Sequence, residues 1–217
     1  MKLPVTAVVI NYQTPDLLEV AVRSFRRYYP MVPLLIVDNG SRDHSRQVIE
    51  QLIAEGHAAV RALWLPENIY HGPAMHRAME AITTPYVYFF DSDTETRRGG
   101  FLEPMIAALE ADPQAYGAGR IVEVDRRRGF RKAGGLPVLA TPYLLLRRAF
   151  YFRLPPFIHH GLPTLQNFRA AEQAGYRLVS FPIETYVHHL GRGTAARYGY
   201  GLGWRSRLEY LLHRLGL

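Results

Sequence analysis

Four successive pairings of an apolar run with an amphipathic helical stretch, filling residues 5–111, predict an α/β fold with a doubly wound, mainly parallel sheet. Continuous apolar runs, rather than alternating ones, mark strands buried on both faces. Parallel neighbours need crossovers, and right-handed crossovers put helices on both sides of the sheet. The length of 217 residues and the 48% hydrophobic content suit one core, read here as a single domain over 1–217. Within it, 1–115 is a regular first half, 116–190 an irregular second half and 191–217 a basic, aromatic tail ending in an amphipathic helix.

Val5 to Ile10 reads as the first strand. Thr14-Pro15 then supplies a helix N-cap with proline at the first helical position. Leu17, Leu18, Ala21, Val22 and Phe25 fall at helical spacing, and the helix runs to about Tyr29 before Pro30 and Pro33 close it. Leu34 to Val37 is the second strand, Ser45 to Glu55 the second helix stopped by Gly56, and Val60 to Leu65 the third strand. Gly72 to Ala81 is the third helix, Tyr86 to Phe90 the fourth strand, and Phe101 to Ala111 a helix broken by Asp112-Pro113. Beyond Gly117 the pattern loosens: strands are expected at Ile121 to Val124 and Thr141 to Arg147, around a basic loop from Asp125 to Lys132. A helix from Thr164 to Ala174, a strand from Leu178 to Phe181 and a helix from Trp204 to Leu215 complete the reading.

The net charge of +7 favours phosphate-bearing partners. Only Lys2 and Lys132 among 26 basic residues are lysines, and arginine suits bidentate phosphate contacts. The arginines are spread along the chain, so base composition explains most of them and no nucleic-acid partner is expected. Absence of Cys excludes disulfides and thiolate zinc sites. Met1 to Ile10 carries too short an apolar run for a membrane span and no cleavage segment, so a cytoplasmic location is expected.

In open α/β sheets the ligand crevice lies outside the carboxyl ends of the strands. Here those ends are Asn11-Tyr12-Gln13, Asp38-Asn39-Gly40-Ser41, Glu67-Asn68 and Asp91-Ser92-Asp93. With seven Asp in the chain, Asp-x-Asp arises by chance in about one such chain in five, so the triplet gains meaning only from its company. Each end alone also reads as an ordinary turn. Placed after a buried strand, two carboxylates spaced by two can point the same way and hold a hard divalent cation, with substrate phosphates completing its shell.

Together these segments resemble the family-2 glycosyltransferases of GT-A fold. The matching stretches are Thr6 to Tyr12 with Thr14-Pro15, Leu35 to Asp43, Glu67-Asn68 and Asp91 to Thr94, so the resemblance covers roughly residues 4–110. It implies a nucleoside-diphosphate sugar, uridine-linked or similar, as donor and Mn²⁺ or Mg²⁺ as cofactor. Asn11, Tyr12 and Asp38 would line the base and ribose pocket, and Asp91, Ser92 and Asp93 would meet ribose, metal and diphosphate. Asn68 and Gly72 would form a third nucleotide-side loop, lengthened by Ile69-Tyr70-His71, with Arg77 reaching the phosphates from the next helix. His188-His189-Leu190-Gly191-Arg192 resembles the segment that brings a third metal ligand, and His189 is favoured over His188.

The second half departs from the family pattern. Gly175-Tyr176-Arg177 is present, but Pro163-Thr164 stands where an acidic pair with the acceptor-activating base is expected. His160, in Phe157-Ile158-His159-His160-Gly161, is the candidate replacement, since a neutral imidazole can take a proton near pH 7. Glu123, Asp125 and Glu172 are the carboxylate alternatives. The tail mixes Arg192, Arg197, Arg205, Arg207 and Arg214 with Tyr198, Tyr200, Trp204 and Tyr210, which suits either docking on the domain or contact with an anionic membrane. The expected reaction is inverting transfer to a saccharide or lipid-linked acceptor. The alternative is a nucleotide-sugar-binding protein whose transfer activity is lost or repurposed.

Overall fold

The structure is a computed structural model that describes residues 3–55, 59–127, 129–158 and 162–190. His160 and the tail from residue 191 lie outside these.

Nine strands and six helices follow one another as β1 (Val5–Asn11), α1 (Pro15–Tyr28), β2 (Leu34–Asn39), α2 (Ser45–Glu55), β3 (Val60–Leu65), α3 (His71–Ala81), β4 (Tyr86–Asp91), β5 (Thr94–Thr96), α4 (Leu102–Glu110), β6 (Ala115–Val124), β7 (Leu136–Arg147), α5 (Arg148–Tyr151), α6 (Leu165–Gln173), β8 (Arg177–Ser180) and β9 (Val187–His189), with a 3₁₀ turn at Ile183–Thr185 before β9, among the described residues. Seven strands form one sheet in the order β3-β2-β1-β4-β7-β6-β8. β1, β2, β3 and β4 pair in parallel, β7 runs antiparallel to both β4 and β6, and β8 is parallel to β6.

Both faces of the sheet are covered, as continuous apolar strands require. Even residues of β4 (Tyr86, Tyr88, Phe90) join α1, α2 and α4, while Val87 and Phe89 join α3, α5 and α6. Phe25 of α1 anchors the first layer, stacked on Tyr29, Tyr88 and Phe90 with ring centroids 5.2, 6.0 and 5.1 Å away. Asp91 continues the Val87 and Phe89 face towards α3, whereas Asn11 and Asp38 continue the opposite face towards α1.

The second half holds more strand than its sequence pattern suggests. The expected strands at 121–124 and 141–147 are the ends of two long partners, β6 and β7. Glycine disguises β6: a Cβ at Gly117 would come within 2.7–2.9 Å of Leu146, Leu139 and the Leu145 carbonyl, and the register shifts between Gly119 and Ile121. A separate two-stranded ribbon pairs β5 with β9 antiparallel and sets His189 opposite Thr94. Among the described residues no helix is long and apolar enough to cross a membrane.

Candidate functional site

A buried chain of hydrogen bonds joins three of the strand ends. The Asn11 side-chain amide donates to Asp38 Oδ1 at 3.0 Å and to Ser41 Oγ at 3.3 Å, and Thr14 Oγ1 donates to Asn11 Oδ1 at 3.0 Å. Thr14 has one hydroxyl proton, already given to Asn11, so Ser92 Oγ is the donor in its 3.0 Å contact with Thr14. Thr14 therefore does not cap α1 with its side chain, although it occupies the N-cap position. Asp38 Oδ2 accepts the Ser41 backbone N–H at 3.2 Å, so both its oxygens are engaged. Asn11 is fully buried, which makes it a brace holding Asp38 rather than an exposed wall of a base pocket; Tyr12, beside it, is half-buried. Replacing Asn11 with Ala removes the partner of Asp38 Oδ1 and the acceptor of the Thr14 hydroxyl proton, and should cost about 1–3 kcal/mol of stability in chemical denaturation.

On the other side of β4, three potential metal ligands converge. One donor atom each from Asp91, Asp93 and His189 lies within 4.8 Å of the others. Asp91 ends its strand, Asp93 follows in the turn, and the β5–β9 ribbon, extended by the Leu190 N–H donating to the Asp93 carbonyl at 3.1 Å, delivers His189. His189 Nε2 is 3.2 Å from Asp93 Oδ1 and 4.0 Å from Asp91 Oδ2. His188, between buried Val187 and His189, is exposed. Burial pushes the Asp91 carboxyl up, and neighbouring Asp93 adds to this while His71 and His189 oppose it. Burial pulls the His189 imidazole down, but its hydrogen bond to Asp93 and the charges of Asp93 and Asp91 outweigh that, so the net direction is up. Two carboxylates and an imidazole whose ligand atoms converge this closely fit a divalent cation such as Mn²⁺ that favours oxygen with some nitrogen.

The loop from β3 into α3 closes the same end. Asn39 Oδ1 accepts the Ile69 N–H at 3.0 Å, while its amide donates to Asn68 Oδ1 at 3.0 Å and the Tyr70 carbonyl at 3.3 Å. Asn68 Oδ1 also accepts the Tyr70 N–H at 2.9 Å, so the side chain is used within the loop. Gly40, at φ +73°, lies so close that a Cβ would meet the Glu67 carbonyl carbon at 2.3 Å. Gly72 is likewise a packing requirement, because a Cβ there would sit 1.9 Å from the Ile158 carbonyl oxygen. Arg77, expected at the phosphates, is six residues into α3, about 9 Å along its axis. It is exposed and paired with Glu80 at 2.8 Å.

In the second half no carboxylate stands at the start of α6: Thr164 is buried, and its hydroxyl has no hydrogen-bond partner among the described residues. The alternatives are engaged elsewhere. Glu123 accepts the Gly134 N–H at 2.7 Å, Asp125 accepts the Phe130 N–H at 2.7 Å within the β6–β7 hairpin, and Glu172 pairs with Arg126. The residues before and after His160 are tied down: the Ile158 N–H donates to the Pro163 carbonyl at 3.1 Å, Phe157 N–H to Tyr151 Oη at 3.1 Å, and Asn167 to the Pro155 carbonyl at 2.8 Å. Sequence reasoning missed Thr14 and Ser41 as bridging residues and His71, whose Nε2 is 3.7 Å from Asp91 Oδ1. The available signal for His71 was a polar residue between a strand-end loop and a helix.

Comparison with known proteins agrees with this architecture. The family model described as glycosyl transferase family 2 matches residues 6–171. A teichoic acid poly(glycerol phosphate) polymerase of Staphylococcus epidermidis is 37% identical over 62 residues, 29% of this chain and 9% of the polymerase. The mannosyltransferase PcManGT from Pyrobaculum calidifontis, solved with GDP-Man and Mn²⁺, is similar with a TM-score of 0.66 at 16% identity, over 84% of this chain and 55% of that one. TarS of S. aureus, solved with UDP-GlcNAc, is similar with a TM-score of 0.60 at 16% identity, over 86% of this chain and 58% of that one. The chain thus spans a small part of the polymerase and little more than half of either solved chain, and at this identity the structural likeness establishes the shared GT-A fold. Since the family match runs from β1 into α6, the protein belongs to glycosyl transferase family 2.

Proposed function

We propose that the chain transfers a sugar from a nucleoside diphosphate to a saccharide or lipid-linked acceptor by a single inverting displacement. The observation that carries this reading is the convergence of Asp91, Asp93 and His189 beside the Asn11–Asp38 brace, at the carboxyl end of a parallel sheet. Asp38, held by Asn11 and Ser41, fixes the ribose side of the donor, and Ser92, tied to Thr14, keeps the two aspartates oriented. Asp91, Asp93 and His189 would hold Mn²⁺ or Mg²⁺. When bound, the cation supplies Lewis-acid neutralisation of the charge that builds on the leaving diphosphate. The acceptor oxygen forms its bond to the anomeric carbon as the bond from that carbon to the diphosphate oxygen breaks, and the acceptor proton passes to a base. His160 is proposed as that base; what supports it is the tether of Ile158 to Pro163 and the seat of Ile158 on Gly72, next to His71. The basic, aromatic tail is proposed to meet the membrane when the acceptor is lipid-linked.

The test is release of nucleoside diphosphate from a panel of UDP- and GDP-linked sugars with Mn²⁺ and candidate acceptors. Turnover supports the proposal. Binding of one donor without turnover favours instead a nucleotide-sugar-binding protein, a reading that the missing carboxylate at α6 motivates. Cation affinity should also depend on pH. His189 must lose its proton to ligate, and its pKa lies above the 6.5 of an ordinary histidine. Mn²⁺ affinity measured by calorimetry should therefore fall about tenfold per unit once the pH drops below that raised value.

A further inference from the structure

We propose that His71 is a second imidazole of this site, a positioning residue that holds the outer oxygen of Asp91 so that the carboxylate presents its other oxygen to Asp93 and His189. The inference rests on the cation reading above. His71 Nε2 lies 3.7 Å from Asp91 Oδ1, and His189 Nε2 lies 4.0 Å from Asp91 Oδ2, so the two oxygens are addressed by different elements. A ligating carboxylate is oriented by such an outer partner, and losing one typically costs 10–100-fold in metal affinity. The 3.7 Å separation is within ion-pair range and about 0.7 Å beyond a hydrogen bond.

The way His71 is delivered is the second observation. Tyr70, immediately before it, has φ 71° and ψ 166°, a backbone state costly for a residue with a Cβ. Asn39 and Asn68 hold that state through the Ile69 N–H, the Tyr70 N–H and the Tyr70 carbonyl. Gly72 then brings the first turn of α3 against the Ile158 backbone. Docking of α3 alone does not call for this, because Ala74, Met75, Ala78 and Met79 already bury its apolar face. The strained turn does determine where the half-exposed His71 ring sits.

The experiment titrates Mn²⁺ by the electron paramagnetic resonance signal of the free ion, for wild type, His71→Ala, His71→Gln, Asp91→Asn and the double variant His71→Ala/Asp91→Asn. Expected is a 10–100-fold weaker Mn²⁺ Kd for His71→Ala, with metal-free Tm unchanged and much of the affinity restored in His71→Gln, which keeps an N–H donor. In the Asp91→Asn background, His71→Ala should add no further loss. Wild-type affinity in His71→Ala, or losses that simply add in the double variant, overturns the role of His71 while the cation reading stands. A wild-type protein that binds no Mn²⁺ overturns the cation reading, and this inference with it.

Discussion

The Asp93→Ala variant should release nucleoside diphosphate from its donor about a thousandfold more slowly than wild type while keeping its fold. Asp93 is buried and its carboxylate faces His189 at 3.2 Å, so the substitution removes one of the three proposed ligands and frees a second from its orienting partner. Neutralising charge on a leaving diphosphate contributes several kcal/mol, and about 4 kcal/mol corresponds to a factor of 10³ in rate. The backbone link at this point, from Leu190 N–H to the Asp93 carbonyl, does not involve the side chain. Tm should therefore change little. Steady-state turnover together with a melting curve checks both halves of the statement, and a variant that turns over at the wild-type rate would separate the acidic pair from the reaction.

Gly40→Ala should lower stability strongly. Two costs add: φ +73° is strained for any residue with a Cβ, and that Cβ would meet the Glu67 and Asn68 backbone at 2.3–2.7 Å. Together they come to about 3 kcal/mol or more, a fall in Tm of about 6–12 °C for a chain of this size. Gly100 supplies the control, because at φ +77° nothing among the described residues lies within 4 Å of its would-be Cβ. Gly100→Ala should cost only the left-handed strain, about 1–2 kcal/mol. Since the Gly40→Ala clash falls on the Glu67-Asn68 backbone of the loop that leads to His71, donor affinity should fall with Tm in that variant and not in Gly100→Ala.

The first half was legible because its physics is local. A continuous apolar strand such as Tyr86 to Phe90 declares itself, and polar residues immediately after it lie at the crevice by topology alone. His189 follows from alternation, since period two sets it on the same side as buried Val187 and turns His188 outward. The parts that escaped depend on partners far along the chain. β6 hides behind Gly117 and Gly119, whose missing side chains are explained only by β7. Thr14 looks like a helix cap, and only the approach of Ser92, 78 residues on, shows its hydroxyl bridging the site. Arg77, six residues into α3, carries the right charge for phosphate, and its exposed pairing with Glu80 is set by helix spacing that the strand-end motifs do not display. His71 gains its meaning from a backbone angle at Tyr70 that no composition predicts.

Asp91, Asp93 and His189 are proposed to bind a divalent cation together with the donor's diphosphate. This binding is tested most directly by thermal shift of wild type and Asp93→Ala with UDP and GDP, each with and without Mn²⁺. At about 100 times Kd, a ligand bound only to the folded state stabilises it by about 2.7 kcal/mol, or about 5–10 °C here. Cation-dependent donor binding requires a rise of that size for wild type with one diphosphate and Mn²⁺ together, little with either alone, and none for Asp93→Ala. An equal rise in the variant, or a rise in wild type that is indifferent to Mn²⁺, would contradict it.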